Sequence, residues 1–161
     1  MRVSTFTMRQ SGRKSMLDEK IIEYGPLYGV PSAMLEDAWK PAYKLLEKAM
    51  DRLGLGKYYW EEDLRHFVEN KDMQLWVAVV DGKLEAAFLT QIVIFPRRKV
   101  FDILIVGGDK LGDWVAPSWG TFKDYAKSHE CDGIRGFGRE GWTRVLEERG
   151  IEYSAIWDLD L

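Results

Sequence analysis

Apolar positions between residues 35 and 53 recur every three or four residues: Leu35, Ala38, Trp39, Ala42, Leu45, Leu46, Ala49, Met50 and Leu53. That spacing puts them on one stripe and predicts a helix buried along one face. The stretch "YGPLYGVPS", with Pro26, Gly29 and Pro31, breaks the chain before it, and Gly54 and Gly56 close it. Pro41 is expected to kink this helix or to mark where its regular part begins. "WEEDLRHFVEN" predicts a second, shorter helix with acids in its first turn and Leu64, Phe67 and Val68 facing inward.

The period then changes from helical to extended. "LWVAVV" and "KLEAAFLTQIVIF" predict strands joined by Asp81 and Gly82, the signal for a type I′ hairpin. A turn over Pro96 to Lys99 leads to a third strand, "VFDILIVGG", so a three-stranded antiparallel meander is expected. A loop from Gly107 to Trp114 follows. "PSWGTFKDYAKSHE" then predicts a helix with Pro117 in its first turn and Trp119, Phe122, Tyr125 and Ala126 on one face. "GIRGFG" reads as a short strand, "REGWTRVLEERG" as a helix and "EYSAIWDLDL" as a last strand, and Arg2 to Thr7 as a short first strand ahead of a polar arm. The strand from Val100 to Gly107 and the one from Gly133 to Gly138 are joined across a helix. They should therefore pair in parallel or splay apart. The order predicts an α/β fold, a mixed but mostly antiparallel central sheet with helices on both faces.

With 161 residues and 46% hydrophobic content the chain suits one domain, residues 1–161, with 1–30 as an arm and loop and 31–161 as the core. A net charge of -3 offers no general attraction to nucleic acid or to an anionic membrane surface, so neither is an expected partner. Cys131 is the one cysteine, which rules out an intramolecular disulfide and a cysteine-rich metal site and fits a reducing compartment. No apolar run approaches the roughly 20 residues of a membrane span. "MRVSTFTMRQSGRKSM" has no apolar region behind its basic residues, so a cytoplasmic protein is expected.

The stretch from "GKYYWEEDLRHFVENKDMQLWVAVV" through "DGKLEAAFLTQIVIFPRRKVFDILIVGGDKLGDW", followed by "GIRGFGREGWTRVLEERG", resembles the acyl-CoA N-acyltransferase (GNAT) superfamily. It is similar in particular to small GNAT-like proteins of bacteriophages and prophages. The order of elements carries the resemblance, from about Pro31 to Leu161. It implies a GNAT fold and acetyl-CoA as donor, with the coenzyme A diphosphate on main-chain N–H groups of the loop between the fourth strand and the following helix. That loop is usually Gln/Arg-x-x-Gly-x-Gly/Ala. Here it corresponds to Gly107–Trp114, which makes Val106, Gly107, Gly108, Lys110, Leu111 and Gly112 the candidate donor-binding residues. A glycine-rich turn before a helix N-terminus suits an anion, and Lys110 adds a point charge. The loop departs from the pattern in lacking a leading Gln or Arg, and Asp109 and Asp113 place like charges near a diphosphate.

Two phosphate-binding motifs fail on inspection. Gly107 and Gly112 have P-loop spacing, but Asp113 and Trp114 stand where Lys and Ser or Thr are required. "GFGREG" matches the dinucleotide fingerprint, yet that fold builds its first strand-helix-strand unit early, with further parallel strands behind it.

Acetyl transfer to an amine needs a base for the ammonium proton, donors to the thioester oxygen and an acid for the thiolate. In the superfamily the base is often a carboxylate on the central strands, which makes Asp102 the first candidate and Glu85 the second. Its acid is often a Tyr on the last helix, but residues 140–150 contain none and hold Trp142 instead. Tyr153 and Tyr125 are the substitutes, and Tyr125 lies on an apolar stripe. His66 and His129 lie far apart without carboxylates at metal spacing, so no metal site is expected. "FPRRKVF" sets three cations at a turn between aromatics, either a solvated turn or a contact for an acidic partner or nucleic-acid backbone. Two functions stay open: an N-acetyltransferase acting on an unknown amine, or a phage-derived GNAT fold without catalysis. The second would be a virion-associated or binding protein whose partners are phage structural proteins.

Overall fold

The computed structural model describes residues 23–24, 27–109 and 111–136. Its elements in chain order are β1 (Glu23–Tyr24), β2 (Leu27–Gly29), α1 (Leu35–Leu53), α2 (Glu61–Glu69), β3 (Met73–Val80), β4 (Lys83–Phe95), β5 (Arg98–Gly108), α3 (Leu111–Ser128) and β6 (Gly133–Gly136). The strands form one sheet in sequence order, antiparallel from β1 to β5, with β6 parallel to β5. The parallel step falls where α3 carries the chain back across the sheet.

Strand alternation divides the core into two layers. Leu75, Val77, Leu89 and Ile105 join Trp39, Leu46 and Leu64 in the layer under α1 and α2. Trp76, Ala78, Phe88 and Phe101 join Leu27, Phe122 and Ala126 in the layer under α3. Each fully buried large apolar side chain contributes about 1.5–3 kcal/mol relative to exposure. In the α3 layer Phe122 meets Trp76, Phe88 and Phe101 at centroid distances of 5.3, 5.2 and 5.6 Å. Trp76 Nε1 donates to Thr90 Oγ1 at 2.9 Å, and that hydroxyl donates to the Gln74 carbonyl at 3.4 Å, so both buried polar groups are satisfied.

The meander and both N-terminal helices match the hydrophobic pattern. Asp81 (φ 51°) and Gly82 (φ 76°) make the two-residue hairpin turn, both in the left-handed region that a type I′ turn requires. Gly54 ends α1 at φ 67°. Pro41 lies inside α1, which continues through it, and Trp60 is the N-cap residue of α2.

The structure corrects four expectations. "YGPLYGVPS" is not merely a break: Leu27–Gly29 forms β2 and pairs with β3, held there by Leu27 at 0% exposure. The turn after β4 is shorter than Pro96 to Lys99, since β5 already begins at Arg98. The loop expected over Gly107–Trp114 is almost all strand or helix, because β5 runs to Gly108 and α3 starts at Leu111. Pro117 is therefore inside α3 and not in its first turn. The strand at Arg2 to Thr7, the helix at 140–150 and the strand at 152–161 lie outside the described residues.

Candidate functional site

The features that matter gather at the distal end of β5. Opposite β4, Leu89 pairs with Ile105 and Thr90 with Ile103, so Leu104 is an extra residue, a β-bulge. The bulge resets the alternation. Phe101 and Ile103 face α3, the consecutive Leu104 and Ile105 both pack on the α1 side, and Val106 returns to the α3 side. Pairing with β6 runs from Val100↔Gly133 to Ile103↔Gly136, the last of the described residues. Among the described residues no strand pairs with Leu104–Gly108 on that side.

The glycines do separate jobs. A Cβ on Gly107 would lie 2.1 Å from the Leu45 carbonyl oxygen, so this glycine lets the α1 backbone reach β5. Gly108, at φ +136°, turns the chain out of the strand, and a Cβ there would meet the Glu85 carbonyl oxygen at 2.2 Å. That carbonyl accepts the Asp109 N–H at 3.2 Å. Gly112 lies in the first turn of α3. Val106 is half-buried on β5, Leu111 opens α3, and Lys110 lies outside the described residues. This end therefore presents the first N–H groups of α3, which have no partner within the helix, and not a three-glycine loop.

Asp102 is 1% exposed and accepts two hydrogen bonds from Arg135 of β6, at 2.6 Å from Nε and 2.8 Å from the second nitrogen. Gln91 Nε2 adds a third at 3.3 Å. The carboxylate holds the guanidinium above its ordinary pKa, chiefly by hydrogen bonding. The guanidinium also lies 5.1 Å from the Phe95 ring centroid. Both Asp102 oxygens are thus engaged. Glu85, the second candidate base, is the extra residue of another bulge, where Ala78 pairs with Ala86 and Val79 with Leu84, and it is buried.

Tyr125 belongs to the α3 core layer, 4.9 Å from Trp76 and 5.4 Å from Phe101, and burial raises its pKa. Tyr153 lies outside the described residues. His129 stacks on Tyr125 at 4.1 Å and His66 contacts Asn70. No cluster of three metal-ligating side chains occurs among the described residues. Burial pushes the Cys131 thiol up, with the Asp132 charge adding and Lys99 opposing. Arg135, Gln91 and the Leu104 bulge went unread in the sequence: "ILIV" has no polar mark where the register slips, and the Asp102–Arg135 pairing depends on a parallel register set across α3.

No protein-family model matches the sequence, and no curated protein is similar to it. Solved structures do match. An aminoglycoside acetyltransferase, HMB0005, from an uncultured soil metagenomic sample superimposes with a TM-score of 0.63 at 11% identity, over 84% of this chain and 97% of that one. The BH1408 protein of Bacillus halodurans, a tetramutant, gives 0.58 at 15% identity over 84% and 99%. A ribosomal-protein-alanine N-acetyltransferase of Brucella melitensis biovar Abortus 2308 gives 0.57 at 13% identity over 84% and 96%. At such identities the likeness shows the fold. This chain has the GNAT fold of these structures. No helix among the described residues is long and apolar enough to cross a membrane.

Proposed function

We propose that this chain is an N-acyltransferase that moves an acetyl group from acetyl-CoA to an amine. The observation that carries this reading is the GNAT fold shared with solved acetyltransferases, with the Leu104 bulge of β5 in line with the start of α3. The bulge leaves the extra residue Leu104 out of the β4 ladder, where its main-chain groups can meet the amides of the pantetheine arm, as in strand addition. In this reading Val106–Gly108 flank the arm, and Lys110, Leu111 and Gly112 receive the diphosphate. Asp113 lies in the same helical turn.

In the reaction, the neutral amine attacks the thioester carbonyl carbon, the C–S bond breaks as the N–C bond forms, the nitrogen gives up a proton, and the thiolate takes one up. Strand geometry contributes chiefly by holding the two reactants together. Asp102 serves as base only once Arg135 withdraws. Glu85 and Tyr153 are the other candidates for proton transfer.

The engaged Asp102 and the Asp109 N–H already bound to Glu85 favour a second reading, a binding protein without catalysis. A phage or prophage origin with a virion-associated role belongs to that reading. Thermal melting with and without acetyl-CoA separates the two. At 100 times its dissociation constant a ligand adds about 2.7 kcal/mol, which raises Tm by several degrees in a chain of this size. Donor binding together with thiol release in the presence of an amine panel supports the enzyme. Absence of any Tm shift contradicts it.

A further inference from the structure

The large apolar side chains exposed among the described residues are four: Tyr58, Trp60, Ile94 and Phe95. They form two patches of opposite charge. Ile94 (77% exposed) and Phe95 end β4, next to the exposed Arg97 and Arg98. Trp60 (72% exposed) precedes α2, whose first turn is Glu61, Glu62 and Asp63, all exposed.

We propose that these patches are the two halves of one contact, by which the β4–β5 tip of one molecule docks on the Trp60 end of α2 in a second copy of this chain. Three observations carry it. First, the tip is a built projection: β4 pairs with β3 only as far as Gln91, and Ile92–Phe95 pair with Phe101–Arg98 alone among the described strands. Second, the tip is held in place, with the Lys99 N–H donating to Asp132 Oδ2 at 2.8 Å and the Arg135 guanidinium beside Phe95.

Third, charge and apolar surface match between the patches. Glu61 already accepts from Trp39 Nε1, and Asp63 from the Trp60 N–H, which leaves Glu62 as the acid presented outward. Arg97 is its counterpart on the tip. Neither Glu62 nor Arg97 has a hydrogen bond or ion pair among the described residues. Both patches are exposed, so they do not cover each other within one copy. Lys57, above the Tyr58 ring at 5.5 Å, is a cation at the edge of the acidic patch. The centre of the contact is therefore Trp60 with Glu62. Two small patches make a weak, salt-sensitive association. If each copy supplies both patches to the same partner the contact closes as a twofold dimer, and otherwise it extends as a chain.

Sedimentation velocity over a concentration series tests this with a charge swap. The wild type should associate, less so at high salt. Arg97→Glu and Glu62→Arg should each weaken association about tenfold or more, because each sets like charges against each other. A mixture of the two variants restores opposite charges between unlike copies, so it should associate again. Unchanged melting temperatures for both variants exclude loss of fold as the cause. A wild type that stays monomeric, single variants that associate as it does, or a mixture no larger than its parts would each overturn the proposal.

Discussion

At the scale of the residue, the most informative contact is the ion pair between Asp102 and Arg135. Its two partners differ in what their loss leaves behind. Asp102 is 1% exposed and the Arg135 side chain 45%, so removing Arg135 strands a buried charge, whereas removing Asp102 leaves a guanidinium that reaches water. Arg135→Ala should therefore cost about 3–5 kcal/mol, and Asp102→Asn clearly less. Urea denaturation of both variants checks the order, and equal losses would contradict it. The glycines offer a second comparison. Gly107→Ala forces α1 away from β5 and should cost about 3 kcal/mol or more. Gly120→Ala, in α3 with nothing within 4 Å of its added Cβ, should stabilise by about 0.5–1 kcal/mol. Cys131, its thiol pushed up by burial, carries less thiolate at neutral pH than free cysteine, and iodoacetamide should alkylate it more slowly.

At the scale of the element, local pattern decides what a sequence shows. The stripe of α1, the acids opening α2 and the Asp81–Gly82 turn are all encoded within a few residues of where they act. The β2 strand was obscured by Pro26 and Gly29, because three buried residues pair through tertiary contact and not through propensity. The start of α3 was obscured by Gly112 and Pro117, poor helix formers that the helix nonetheless includes. Pro41 in α1 is a similar case. It is exposed and its ring removes one helical hydrogen bond, so Pro41→Ala should stabilise by on the order of 1–2 kcal/mol in thermal melts. The candidate site shows the same division. The position of the glycine-rich junction was readable, but the register slip at Leu104 was not. It arises from strand register, which no single segment encodes.

At the scale of the whole molecule, the fold matches these solved structures over 84% of the chain at 11–15% identity, so the order of elements is retained where little sequence is. The proposed donor site follows from that order and from the bulge, and it needs a test that leaves the fold intact. Gly108 cannot supply one, since any side chain there meets Glu85. Gly112→Glu improves helix propensity while adding negative charge at the start of α3. It should keep the unliganded Tm and weaken acetyl-CoA binding about tenfold or more. Calorimetric titration of the variant checks this, and unchanged affinity would move the diphosphate elsewhere.

The central claim is that acetyl-CoA lies along the distal half of β5. Amide hydrogen exchange with and without the donor reads that edge directly. The account predicts slower exchange across Leu104–Gly108 and the first turn of α3 when acetyl-CoA is added. Tight binding with no change at those amides, or with protection confined to another part of the sheet, would contradict it.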